Sequence, residues 1–137
     1  MSQYTAAPFA DRSAVLLDFD GTIANTGTFI MRCAREALIE CGYPREAEGD
    51  LHSLIGPPLC NGFADLCHQS LEEGIRITEV YRRIFDGDMS PDYYPVFPGM
   101  RELIAALHEQ GRRVAVATSR LETTACQMID SLNLPPF

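Results

Sequence analysis

The 137-residue sequence contains no lysine, and all 11 of its basic side chains are arginine. Any fixed positive charge that a site requires therefore rests on guanidinium groups or on a metal ion. No apolar run approaches the roughly 18 residues of a membrane-spanning helix. The start, MSQYTAAPFADRS, has neither a basic n-region nor an apolar h-region, so no secretory signal is expected and a cytoplasmic location is. The five cysteines (Cys33, Cys41, Cys60, Cys67 and Cys126) form no C-x-x-C, and His52, His68 and His108 are scattered. That argues against a zinc site and for reduced thiols packed as small core residues. There is no internal repeat and no low-complexity segment. Positive charge is scarce, 11 basic against 19 acidic residues for a net charge of −8, which disfavours nucleic acid and anionic membranes as partners. What remains is ordinary globular usage, 46% hydrophobic and 22% charged, in a length that suits one domain or one domain plus an insertion.

Residues 14–20, AVLLDFD, form a short apolar run that ends in carboxylates and meets Gly21-Thr22. The pattern predicts a strand buried on both faces, with polar residues at its C-terminal end. Val114-Ala115-Val116-Ala117 repeats the pattern and ends in Thr118-Ser119-Arg120. Before this second run, Met100, Leu103, Ile104 and Leu107 mark one face of a helix closed by Gly111. After it, Cys126, Ile129 and Leu132 mark another, which Pro135-Pro136 ends. Strand–helix–strand–helix order implies a parallel α/β core.

Far more chain lies between the two strands than a crossover needs. Phe29, Cys33, Ala37 and Cys41 recur every four residues and predict a helix that stops at Gly42-Tyr43-Pro44. Leu51 to Ile55, Leu59 to Cys67 and Ile77 to Phe85 predict three more. Residues 26–92 thus read as an inserted all-helical subdomain, and 1–25 with 93–137 as the α/β core. Pro91, Pro95 and Pro98 mark the path back. Phe29, Tyr81 and Phe85 read as core, and Arg82 and Arg83 as a solvated helix face.

Asp18 and Asp20 alternate at a strand end, so regular β geometry would aim them apart, but the Gly-Thr that follows can bend both toward one point. Such a pair suits a hard cation such as Mg²⁺. It equally suits a division of labour between a nucleophile and a general acid/base, or simply a solvated strand end. Thr118 falls on the sheet edge where α/β folds place ligands and can hold a phosphoryl oxygen; it also serves as a helix N-cap. Arg120 reads as a residue on solvent in the first turn of the following helix. Gly56-Pro57-Pro58 reads as a rigid helix–helix turn with proline at a helix start.

DFDGTIANT at 18–26 resembles the first motif of the haloacid dehalogenase superfamily of phosphotransferases, and VAVATSR at 114–120 resembles its second. IGPPL at 55–59, YRRIF at 81–85 and VFPGM at 96–100 are similar to segments of the branch that holds phosphoglycolate phosphatases and nucleotidases. The resemblance implies an incomplete Rossmann-like parallel-sheet core with an inserted helical cap. It implies a phosphatase acting on a small phosphorylated metabolite, with pyrophosphatase or 5′-nucleotidase activity as the alternative. Asp18 would attack phosphorus and become an aspartyl-phosphate, and Asp20 would act as general acid and then base. Mg²⁺ would be held by the Asp18 carboxylate and the Asp20 backbone carbonyl. Thr118, the Ser119 amide and backbone N–H groups near Phe19 and Gly21 would hold the phosphoryl group, with Arg120 nearby and Gly56 and Pro57 in the specificity loop. Asn25 stands where many relatives carry Asp.

The superfamily has two further motifs, a lysine and an acidic pair, that find no match after Thr118, where the acidic residues are Glu122 and Asp130 alone. The expectation is therefore the N-terminal part of a longer phosphatase, or a shortened gene product. A two-stranded parallel sheet would leave both edges open and favour oligomers. Two competing readings are a receiver domain, which usually carries adjacent acids on the first strand and no helical cap, and a non-catalytic remnant that needs a partner.

Overall fold

A computed structural model describes residues 12–137; most of the N-terminal stretch read above for a signal lies outside them. In chain order the elements are β1 (Ala14–Leu17), α1 (Gly27–Glu40), α2 (Leu59–Cys67), α3 (Leu71–Asp88), α4 (Met100–Glu109), β2 (Arg113–Val116) and α5 (Glu122–Ser131). Single 3₁₀ turns sit at Glu46–Glu48, Leu51–Leu54 and Pro91–Tyr93. The chain divides into two compact units, one running Asn25–Pro95 and the other joining the residues up to Ala24 with Val96–Phe137.

In the sheet unit, β1 and β2 pair in parallel with Ala14 opposite Arg113 and Leu17 opposite Val116. The ladder continues one step further, because the Ala117 N–H donates to the Leu17 carbonyl at 2.9 Å. Val114 is buried, and Val15, Leu17 and Val116 are half-buried on the same face. The opposite face differs from the expectation of strands covered on both sides, since Leu16 is 71% exposed and Ala14, Arg113 and Ala115 are open as well. A doubly covered parallel sheet needs helices on both faces, and among the described residues nothing covers this one.

Helix α5 also corrects the sequence reading. Its buried stripe is Ala125 and Met128, continued by Leu132, while Cys126 is exposed. The i, i+3, i+7 spacing of those three keeps one face inward, whereas Cys126 lies one position round the helix. The end of α5 is tied to α4 by Arg101, whose guanidinium donates to the carbonyls of Leu132 at 2.6 Å and Asn133 at 2.9 Å. These are terminal carbonyls that lack an intrahelical donor.

The helical unit is built around aromatic rings. Phe29 stands 4.6 Å from Phe85 and 6.0 Å from Tyr94, and Tyr81 lies between Phe63 and Phe85 at 5.9 and 5.7 Å. Helices α2 and α3 approach closely at Gly74, where an added Cβ would stand 2.1 Å from the Cys60 carbonyl oxygen. Arg82 and Arg83 are exposed as expected, and Arg83 pairs with Glu40. Of the five cysteines only Cys33 and Cys67 are buried, so the expectation of core thiols holds for those two. Burial pushes both up to about 11.

Candidate active site

The segment after β1 turns at once instead of continuing extended. Phe19 is fully buried, and its carbonyl accepts N–H groups from Thr22, Ile23 and Ala24 at 3.3, 3.0 and 3.1 Å. Three donors converging on one oxygen wind residues 19–24 into a tight loop, and Gly21 supplies the φ of +75° that the winding requires. The loop is fastened at its far end, where Ala24 bridges Val96 and the Phe97 N–H donates to the Ile23 carbonyl at 3.0 Å. Asp18 and Asp20 thus flank a buried aromatic anchor on a loop with little freedom.

Asp18 follows the last residue of β1 and is exposed. Its Oδ1 accepts the Phe19 N–H at 2.7 Å. The Gly21 N–H donates to the Ala24 carbonyl at 2.9 Å. The two backbone amides expected to help hold a phosphoryl group therefore have partners within the loop itself. Thr118 and Ser119 follow β2 at the same end of the sheet, one and two residues beyond the last rung of the ladder. The Thr118 Oγ1 accepts the Arg120 N–H at 3.2 Å, a local hydroxyl–amide turn that shapes the approach to α5. Gly56, at a φ of +112°, and Pro57 are exposed residues of the helical unit.

The contact that the sequence did not reveal joins Asp20 to Arg120, a hundred positions apart. Nε donates to both carboxylate oxygens, at 3.0 and 2.9 Å, and Nη2 to Oδ1 at 2.7 Å. The Arg120 and Asp20 side chains are 14% and 21% exposed, so the pair is sheltered from water.

A metal at this loop would find hard oxygen donors in the Asp18 carboxylate and the Asp20 backbone carbonyl, the ligand chemistry Mg²⁺ takes. The Asp20 carboxylate is engaged by Arg120, and among the described residues no group of three or more His, Cys, Asp or Glu side chains is placed to hold a metal. The donor set fits Mg²⁺ as far as it goes, and the remaining octahedral positions would fall to water or further ligands.

Residues 15–137 match the family model of the haloacid dehalogenase-like hydrolases. The chain is 29% identical over 126 residues to the pyrophosphatase PpaX of Halalkalibacterium halodurans, covering 91% of this chain and 56% of that protein. It is 31% identical over 124 residues to the probable phosphatase IndB of Dickeya dadantii, covering 88% and 54%. The crystal structure of a predicted phosphatase from Clostridium acetobutylicum superposes with a TM-score of 0.79 at 24% identity, covering 90% of this chain and 56% of that one. The chain thus spans about half the length of the curated relatives it matches.

Proposed function

The chain belongs to the haloacid dehalogenase-like hydrolase family, and on that premise we propose that it carries the nucleophile end of an Mg²⁺-dependent phosphatase for a small phosphomonoester. Asp18 is the attacking carboxylate and becomes the aspartyl-phosphate; Asp20 protonates the leaving oxygen and then activates water. The Thr118 hydroxyl and Ser119 amide hold the phosphoryl oxygens in the loop that leads from β2 into α5. Mg²⁺, held by the Asp18 carboxylate and the Asp20 carbonyl, would supply positive charge against the negative charge that gathers in the transition state. The insert 26–92 is the proposed cap, with Gly56 and Pro57 in its substrate loop. The free thiols suit a cytoplasmic location. The observation that carries this reading is the placement of Asp18 and Thr118 at the same end of two paired parallel strands.

Attack by one anion on another needs fixed positive charge; with no lysine this chain offers only guanidinium, and that of Arg120 is held by the Asp20 carboxylate. Residues 1–137 alone should therefore turn over far more slowly than the same residues joined to the C-terminal half of a curated relative. The test measures phosphate released from phosphoglycolate, pyrophosphate and nucleoside monophosphates with excess Mg²⁺ by both forms. In the joined form Asp18→Asn should abolish turnover, and Asp20→Asn should slow it by roughly a hundredfold or more, the usual size of general acid–base catalysis. Turnover that survives Asp18→Asn overturns the nucleophile assignment.

A further inference from the structure

Arg120 meets Asp20 with both carboxylate oxygens facing one guanidinium, in partial shelter from water, where an ion pair is screened less than on an open surface. Neither backbone is placed to yield. Asp20 sits in the loop wound on the Phe19 carbonyl, and the Arg120 N–H is tied to the Thr118 hydroxyl. The contact is therefore opened by rotating side chains, above all the long arginine, and a competitor for the guanidinium is what would drive it.

A phosphoryl group is such a competitor. The planar fork of a guanidinium matches phosphate oxygens as well as it matches a carboxylate. A phosphomonoester also brings about 1.5 to 2 negative charges near neutral pH against one for a carboxylate. We propose that Arg120 is an exchangeable clasp: without an anion it holds Asp20, and a phosphoryl group at the Thr118–Ser119 strand end takes the guanidinium over and releases the Asp20 carboxylate. This rests on the reading of that strand end as the phosphoryl site and adds to it how the site is set at rest. Substrate arrival, in this arrangement, is what frees Asp20 for its work.

The clasp has a thermodynamic signature. A ligand that needs the open form binds with an affinity reduced by the fraction of molecules already open. Weakening the carboxylate end should therefore strengthen phosphate binding. The probe is inorganic phosphate titrated at constant ionic strength into the ¹⁵N-labelled 137-residue chain, followed by the Arg120 Nε–H signal and the Thr118 and Ser119 amides. Asp20→Asn should shift the Nε–H signal before any phosphate is added. It should also tighten phosphate binding about tenfold, within the range of couplings between contacting residues.

That substitution also removes a negative charge, so it is repeated in an Arg120→Gln background, with the Thr118 and Ser119 amides as the readout. There the clasp is gone and the gain should vanish. A gain of equal size with and without Arg120 is plain charge relief and overturns the proposal. So does Asp20→Asn with unchanged, weaker or undetectable phosphate binding, or Arg120→Gln that binds phosphate as tightly as the parent. Circular dichroism checks that each variant folds. Should Arg120→Gln fail to fold, Arg120→Lys replaces it, because an ammonium keeps the charge but lacks the fork; the gain should then be reduced, and an undiminished one overturns the clasp. Hydrolysis enters none of these readings, so failure of the turnover test and failure of the clasp are separate results.

Discussion

Leu16 and Ala115 stand opposite each other across the parallel ladder, and both side chains open to solvent. The partner face carries Val114, buried against the rest of its unit. Leu16→Thr should therefore leave stability within about 0.5 kcal/mol, as surface substitutions do, while reducing self-association through the bare face and open edges. Val114→Ala removes buried methyl groups and should cost about 2 kcal/mol. Thermal unfolding and light scattering during size-exclusion chromatography read the two effects separately.

Gly74 lies inside α3, where glycine is ordinarily a weakness worth about 1 kcal/mol against alanine. Here the added Cβ would stand 2.1 Å from the Cys60 carbonyl oxygen and 3.0 Å from the Ala64 Cβ. Backbone cannot move aside as a side-chain tip can, so Gly74→Ala should lower stability, by about 1–3 kcal/mol as overpacked sites do. Denaturant titration followed by circular dichroism would show the midpoint falling; a rise would mean that α2 and α3 are not this close.

Glu73 receives N–H groups from Arg76 and the Tyr43 hydroxyl at 2.7 Å. The hydrogen bonds, that of Arg76 first, hold its carboxyl down at about 2 from an ordinary 4.5. A carboxyl held lower in the folded than in the unfolded chain adds stability that is complete above the unfolded value and lost as pH falls through the folded one. The loss should thus run from about 4.5 down to about 2, and Glu73→Gln should flatten stability against pH in that window alone. Glu73 is half-buried but Arg76 is exposed, so the effect should be small and shrink with salt.

Iodoacetamide near neutral pH should modify Cys126 first, because it is exposed. Cys33 and Cys67 are buried, and burial raises both thiols to about 11, leaving little thiolate to react. Peptide mass spectrometry against time gives the order; early alkylation of Cys33 would contradict its packing.

Much of the architecture was legible because local pattern and tertiary role coincide. AVLL at 14–17 and VAVA at 114–117 are short, apolar and followed by polar residues, and four-residue spacing from Phe29 to Cys41 marks α1 to within a turn. Where the reading failed, the deciding contact is remote. Nothing within AVLL says that Leu16 faces solvent, since that depends on what the rest of the chain places over it. In α5 two adjacent stripes both carry apolar residues, and only packing selects Ala125 and Met128 over Cys126. For the candidate site, D-x-D-G-T and T-S-R singled out their residues by local spacing alone. The Asp20–Arg120 pair did not, because it spans a hundred positions and depends on the strand register to bring two loop ends together.

That register also sets an order of events during synthesis. β1 leaves the ribosome early, yet its ladder partner, beginning at Arg113 opposite Ala14, follows about a hundred residues later, on the order of 5–20 seconds at ordinary elongation rates. Throughout that interval the strand lacks the ladder partner it has among the described residues, while Asn25–Pro95 has all the residues of its own compact unit. Folding of that unit draws the intervening chain together and shortens the effective loop that β2 must close. The nascent chain therefore passes through a stage with a complete helical body and a β1 still waiting for β2, and at this stage the apolar strand is most open to mispairing.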